Sequence, residues 1–232
     1  MVRKELATLR SAKDHSELIQ LSEMLLIGLT TTVKRIMEDE MEDAYIHGFE
    51  SAASEGKAKV IKAERKIEIS FNQADQDAIH ALKNDSVQTK SYGNLSERLS
   101  AIMNKIIADS ISEGHSVPTT VSNMQKAVNL EASAFTRIAR TELINIVNEG
   151  RLSAYKKMEK KRKKQFKYTL VVAGGLRTCD AHRELSYTIP SKGLPIDDLI
   201  ELQQRIGSKH GMALRGNSLL HPNQRTVLMR VP

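Results

Sequence analysis

The 232-residue chain has one cysteine, no tryptophan, five prolines and only 4% aromatic residues. A single cysteine excludes an intramolecular disulfide framework and fits a reducing compartment. Scarce aromatics argue against a stacking platform for single-stranded nucleic acid. Long apolar runs are missing too: "MLLIGL" at 24–29 is far too short to span a bilayer, so no membrane partner is expected. The opening "MVRKELATLRSAKDHSEL" lacks the apolar centre of a secretory signal, which points to synthesis in the cytoplasm. There is no P-loop, no GxSxG elbow, no Gly-rich dinucleotide fingerprint and no internal repeat.

What is present is charge, unevenly divided. Residues 1–133 carry 16 basic and 20 acidic side chains (net −4), whereas residues 134–232 carry 19 basic and 8 acidic (net +11). A half so basic suits a polyanion, most commonly nucleic acid, although a solvated basic surface gives the same count. In the acidic half, "MEDEMED" places five carboxylates between Glu38 and Asp43, which reads as a solvated helix face or a partner-facing acidic patch.

Apolar periodicity makes the first half helical. Leu18, Leu21, Leu25, Leu29, Val33 and Ile36 recur at three and four from Ser16 to about Ser54, with Asp14 or Ser16 as the cap. "SEGKAK" breaks this pattern, and 59–70 is ambiguous between helix and strand. A short helix is expected in "NQADQDAIHALKN", a loop in "KSYGNLSER", and a helix capped by Ser96 that ends near Gly114. Another starts near Pro118, and a long one runs from about Leu130 to Lys164. "QFKYTLVV" and "QRTVLMRV" read as strands around a short helix, "DDLIELQQRIG", and Gly- and Pro-punctuated loops. The fold class is α+β and predominantly helical: long N-terminal helices, a central helical region, and a small C-terminal hairpin or sheet with long loops. Residues 1–70 read as a helical region for partner docking and 71–232 as the main domain.

The long helix carries two anomalies. At about 100° per residue, Glu142 falls in the middle of a stripe formed by Phe135, Ile138, Ala139, Ile146, Gly150 and Ser153. A carboxylate there is costly unless paired or hydrogen-bonded, so it is expected to tie the helix to the fold through an arginine or backbone amides. The helix then runs into Lys156, Lys157, Lys160, Lys161, Arg162, Lys163, Lys164 and Lys167 around a single acid, Glu159. These cations form a sleeve suited to phosphate contact without base reading, or a solubilising helix end.

"LRTCDAHREL" holds the only cysteine. Cys179-x2-His182 is half of a zinc site that His210 or His221 would complete, and Cys179 with a histidine base is the minimum for nucleophilic catalysis. A zinc- or cysteine-dependent hydrolase or nuclease built on Cys179, His182 and His221 is therefore the alternative from the enzyme class. The ligand pairs are some forty residues apart and no compact motif joins them, so no cofactor and no enzyme activity is the expectation.

Three stretches together resemble a family, the Mu F-like minor head (head morphogenesis) proteins of tailed phages and related proviruses. "ASAFTRIARTELINIVNEGRLSAY" is similar to its signature helix and puts Arg140, Thr141, Glu142, Asn145 or Asn148, and Tyr155 on signature positions. "LRTCDAHREL" resembles the family's strand-end segment, usually Asp-x-Arg-Thr-Cys followed by Cys or His. "HPNQRTVLMRV" resembles its terminal His-Pro-Asn-Cys-Arg-Cys segment. Upstream, "LSERLSAIMNKIIADSISEGHSVPTTVSNMQKAV" resembles a helix, Gly-x-Ser turn and second helix of the family, which extends the likeness to about 72–232.

The chain departs from the pattern at Gln224 and Thr226, where many relatives have cysteine, and at Gly175 and Leu176, where aspartate is common. A cysteine-rich cluster is thereby dismantled, which leaves Arg177, His182, His221 and Arg225 as loop-pinning residues. Cys179 becomes a packed small side chain, and Arg177 a candidate partner for Glu142. The resemblance implies a low-copy structural protein in the virion, joining the portal region of the head, contacting portal or major capsid protein, and lying near packaged double-stranded DNA during packaging or ejection.

Overall fold

The computed structural model describes residues 9–58, 69–84, 86–172, 178–212, 214–215, 218–219 and 226–231; at 30, 56–58, 86–96, 134, 135, 137, 138, 214, 215, 218 and 219 it describes the backbone alone. After a single 3₁₀ turn at Leu9–Ser11 come α1 (His15–Ala58), α2 (Gln73–Lys83), α3 (Ser86–Ser112), α4 (Val117–Arg162), β1 (Lys167–Val172), α5 (Asp180–Thr188), α6 (Ile196–Lys209), β2 (Leu214–Arg215), β3 (Ser218–Leu219) and β4 (Thr226–Val231). The fold is predominantly helical α+β.

Local chemistry sets the helix ends. The carboxylate of Asp14 accepts the Glu17 N–H at 2.9 Å and caps α1, so of the two candidates Asp14 is the cap. Ser116 does the same for α4 through the Thr119 N–H at 3.4 Å, with Pro118 in the first turn. Gly114, at φ +69, ends α3 in the left-handed conformation that costs glycine little.

Several sequence expectations differ from the structure. "KSYGNLSER" is not a loop but part of α3, and Ser96 lies inside the helix rather than at its cap. Its Gly, Asn and Ser cost a helix at most about 1 kcal/mol each, and no proline interrupts the run. The described part of α1 ends at Ala58, inside "SEGKAK". The two helices expected on either side of residue 129 are one 46-residue helix. The segment that resembles a strand end is helical from Asp180 onward, with Cys179 as the N-cap of α5. Residues 59–68 lie outside the described set.

The chain packs as two units, each drawn from two stretches: the described parts of Met1–Asp39 with Lys83–Arg137, and Glu40–Leu82 with Ile138–Pro232. The first is helical. Leu18 and Leu26 of α1, Leu99, Met103 and Ile107 of α3, and Val121, Met124 and Val128 of α4 form its core. Arg98 pairs with Glu131 at 2.6 Å, and Arg10 donates to Gln125 at 3.4 Å.

The second unit gathers the C-terminal part of α1, α2, the C-terminal part of α4 and the described residues that follow α4. Strands β1 and β4 pair antiparallel from Lys167↔Val231 to Val172↔Thr226, and Tyr168 also bridges to Leu194. Tyr155, Tyr168, Leu170, Leu185, Leu199 and Leu228 centre its core. Helices α1 and α4 cross closely here: a Cβ on Gly48 would lie 2.1 Å from the Val147 carbonyl oxygen, and one on Gly150 would lie 2.1 Å from that of Tyr45.

Candidate functional site

The second unit is organised around one face of α4. Asn148, Arg151 and Tyr155 stand at i, i+3 and i+7, which superposes them on the helix surface. That face meets the edge of β4 left over from its pairing with β1. Asn148 donates to the Thr226 carbonyl and accepts the Leu228 N–H, both at 2.9 Å. Arg151 Nε donates to the Leu228 carbonyl at 2.6 Å, and the Arg230 N–H reaches the Tyr155 hydroxyl at 3.3 Å. Side chains of a helix thus take the place of a third strand, so the edge is covered rather than left as a template for pairing.

The other end of this network is Glu55 on α1. Arg151 pairs with one of its carboxylate oxygens, and the Tyr155 hydroxyl donates to the other at 2.6 Å. Burial, with donation to Glu55, pushes the Tyr155 phenol up to about 12.

A second polar knot joins α4 to α2. The Asp75 carboxylate reaches back to accept the Asn72 N–H at 2.8 Å at the start of α2, which is one half of a capping box. The same carboxylate accepts Ser153 Oγ at 2.6 Å and pairs with Lys157, whose ammonium also reaches the Ser70 carbonyl at 3.0 Å. Burial alone would raise Asp75, but Lys157, Ser153 and the Asn72 N–H outweigh it and hold the carboxyl below its ordinary value.

Beyond Lys157 the helix emerges into solvent. Lys156, Lys160, Lys161, Lys163, Lys164 and Lys167 are exposed and Arg162 half-buried. The single acid among them, Glu159, turns back to accept the Phe166 N–H at 2.6 Å. Lys163 closes the helix at φ 49, a conformation that more often belongs to glycine. Arg162 and Arg230 both lie against the Phe166 ring, 5.8 and 4.5 Å from its centroid, so the last strand adds a cation to this end of α4. Composition gave no sign of Arg230, because only the β1–β4 register brings it here.

Of the other sequence-derived positions, Thr141 and Glu142 are buried and Arg140 is exposed. Cys179 Sγ lies 3.0 Å from His182 Nδ1, and His182 is buried. His210 instead sits 2.9 Å from Glu184, which also accepts Lys209 at 2.8 Å; the hydrogen bonds from Lys209 and His210 hold the Glu184 carboxyl below its ordinary value. His210 is thus engaged at the α5–α6 contact. Among the described residues no group of three or more potential metal ligands forms, and no helix is long and apolar enough to cross a membrane. Arg177, His221 and Arg225 lie outside the described residues. Sequence reading missed Arg151, Glu55 and Asp75, although Asn-x2-Asp at 72–75 is a legible capping signal.

These features define a helix-rich α+β protein whose longest helix is bolted to a strand edge at one level and ends in an exposed cationic cluster at the next. Residues 101–202 match the family described as phage Mu protein F like protein, and over that segment the chain is similar to it. It covers under half of the chain, from within α3 to α6, and includes the signature helix, β1 and α5. No curated protein and no solved structure matches the chain. The match is consistent with a phage head morphogenesis protein.

Proposed function

We propose that this is a minor head protein of a tailed phage or provirus, placed near the portal and in contact with packaged double-stranded DNA. The observation that carries the reading is the exposed cluster of Lys156, Lys160, Lys161, Lys163, Lys164 and Lys167, with Arg162 half-buried among them, at the end of the family's own signature helix. Flexible ammonium groups around a helix end contact phosphates on any sequence, so the expected binding is sequence-independent and salt-sensitive. Lys157 leaves this set, because its ammonium is held by Asp75. The acidic segment Glu38–Asp43 is the surface through which the N-terminal helices dock on portal or major capsid protein, with no cofactor required.

Composition of purified particles tests the placement. DNA-filled heads should contain the chain at a copy number far below that of the major capsid protein, and should retain it in isolated portal complexes. Heads that lack the chain while the surrounding lysate contains it would rule the reading out.

A further inference from the structure

We infer that the outward stripe of α1 between Glu17 and Arg35 is a self-association surface, on which a second copy of this chain packs antiparallel. Taking Met24 as zero and about 100° per residue, Glu17, Gln20, Met24, Ile27, Gly28, Thr31 and Arg35 all fall within an arc of about 100°. Met24 and Ile27, one turn apart, are each 70% exposed. Scattered apolar residues on a surface need no explanation, but these two lie beside a glycine in the helix interior, the least favourable residue there apart from proline.

Nothing among the described residues accounts for that glycine. Gly48, on the same helix, and Gly150 are required by backbone that a Cβ would strike at 2.1 Å, whereas a Cβ on Gly28 meets nothing within 4 Å. The space over Gly28 is therefore open to another molecule's side chain. Thr31 adds to the apolar character, since its hydroxyl donates internally to the Ile27 carbonyl at 3.0 Å.

Charge selects the occupant. The stripe starts with an acid, Glu17, and ends with a base, Arg35, with Gln20 and then apolar and small residues between. One Glu17 carboxylate oxygen accepts the Lys13 N–H at 2.7 Å, and the other is left for a partner. Under a two-fold axis opposite residue 26, Met24 of one copy lies over Gly28 of the other, and Glu17 faces Arg35 at both ends. A surface complementary to itself in shape and charge is the requirement of an isologous dimer.

Sedimentation of the full chain across a concentration series, with Gly28→Leu beside it, provides the test. The wild type is expected to dimerise. Gly28→Leu should associate at least about tenfold more weakly, because its side chain fills the space meant for Met24. Its melting temperature should be unchanged or higher, since the position is unobstructed and leucine favours helix. In a Cys179→Ser background, Met24→Cys mixed with Gly28→Cys should give more disulfide-linked dimer than either alone. A wild type that stays monomeric, a Gly28→Leu protein that dimerises like the wild type, or cysteines at 24 and 28 that cross-link only to portal or capsid protein would each overturn the proposal.

Discussion

Asn148 holds Leu228 as a neighbouring strand would: its amide oxygen accepts the Leu228 N–H at 2.9 Å while its amide nitrogen donates to the Thr226 carbonyl at the same distance. One side chain satisfies two backbone groups on the edge of β4, and Arg151 and Tyr155 continue the docking along the helix. Asn148→Leu keeps the volume and leaves both groups buried without partners. The expected loss is about 1–3 kcal/mol of unfolding free energy, measured by urea denaturation. A variant as stable as the wild type would mean that the strand edge does not depend on this helix.

The Asp75 knot predicts an acid limb of the stability curve. Its folded carboxyl lies below the ordinary value of 3.8, so its contribution is fully present above that pH and is lost as pH falls through the folded value. Asp75→Asn should be less stable at neutral pH and should flatten the acid limb of melting temperature against pH. Parallel acid limbs for the two proteins would contradict the assignment.

Tyr155 predicts the alkaline limb. A phenol raised from 10.0 to about 12 keeps its contribution below pH 10 and loses it progressively toward pH 12, because the unfolded chain gives up the proton first. Tyr155→Phe should lose stability at neutral pH, by about 1–2 kcal/mol for the hydroxyl's hydrogen bonds, and should fall less steeply over that window. An unchanged alkaline slope would show that another group governs it.

The crossing of α1 and α4 is close enough to reject a methyl group. Gly150→Ala would put Cβ 2.1 Å from the Tyr45 carbonyl oxygen, a backbone atom that cannot swing away. The helices must separate, at a cost of about 1–3 kcal/mol. A melting temperature raised by the better helix former would refute the close packing.

Much of this was legible in the residues. The apolar spacing of Leu18, Leu21, Leu25 and Leu29 marks α1, and the β-branched and aromatic runs mark β1 and β4. Helix α5 escaped because nine residues give barely two turns of periodicity, and its Asp, His and Arg read equally well as a turn or a ligand set. Resemblance directed attention to Asn148 and Tyr155, yet nothing along the chain singles out Arg151 between them. Its importance comes from a strand edge some seventy-seven residues away and a glutamate ninety-six residues away. The sleeve of lysines was visible as composition, but only packing separates Lys157, held by Asp75, from the exposed cations beyond it.

Salt dependence of duplex DNA binding tests the proposed DNA contact most directly. Wild-type protein should bind unrelated duplexes with similar affinity, and log K should fall linearly with log salt by about 0.9 per phosphate contact. Replacing Lys160, Lys161, Lys163 and Lys164 with alanine should weaken binding to every duplex alike and reduce the slope by up to about 3–4, while leaving the melting temperature near that of the wild type. An affinity and a salt slope unchanged by the four substitutions would contradict the account.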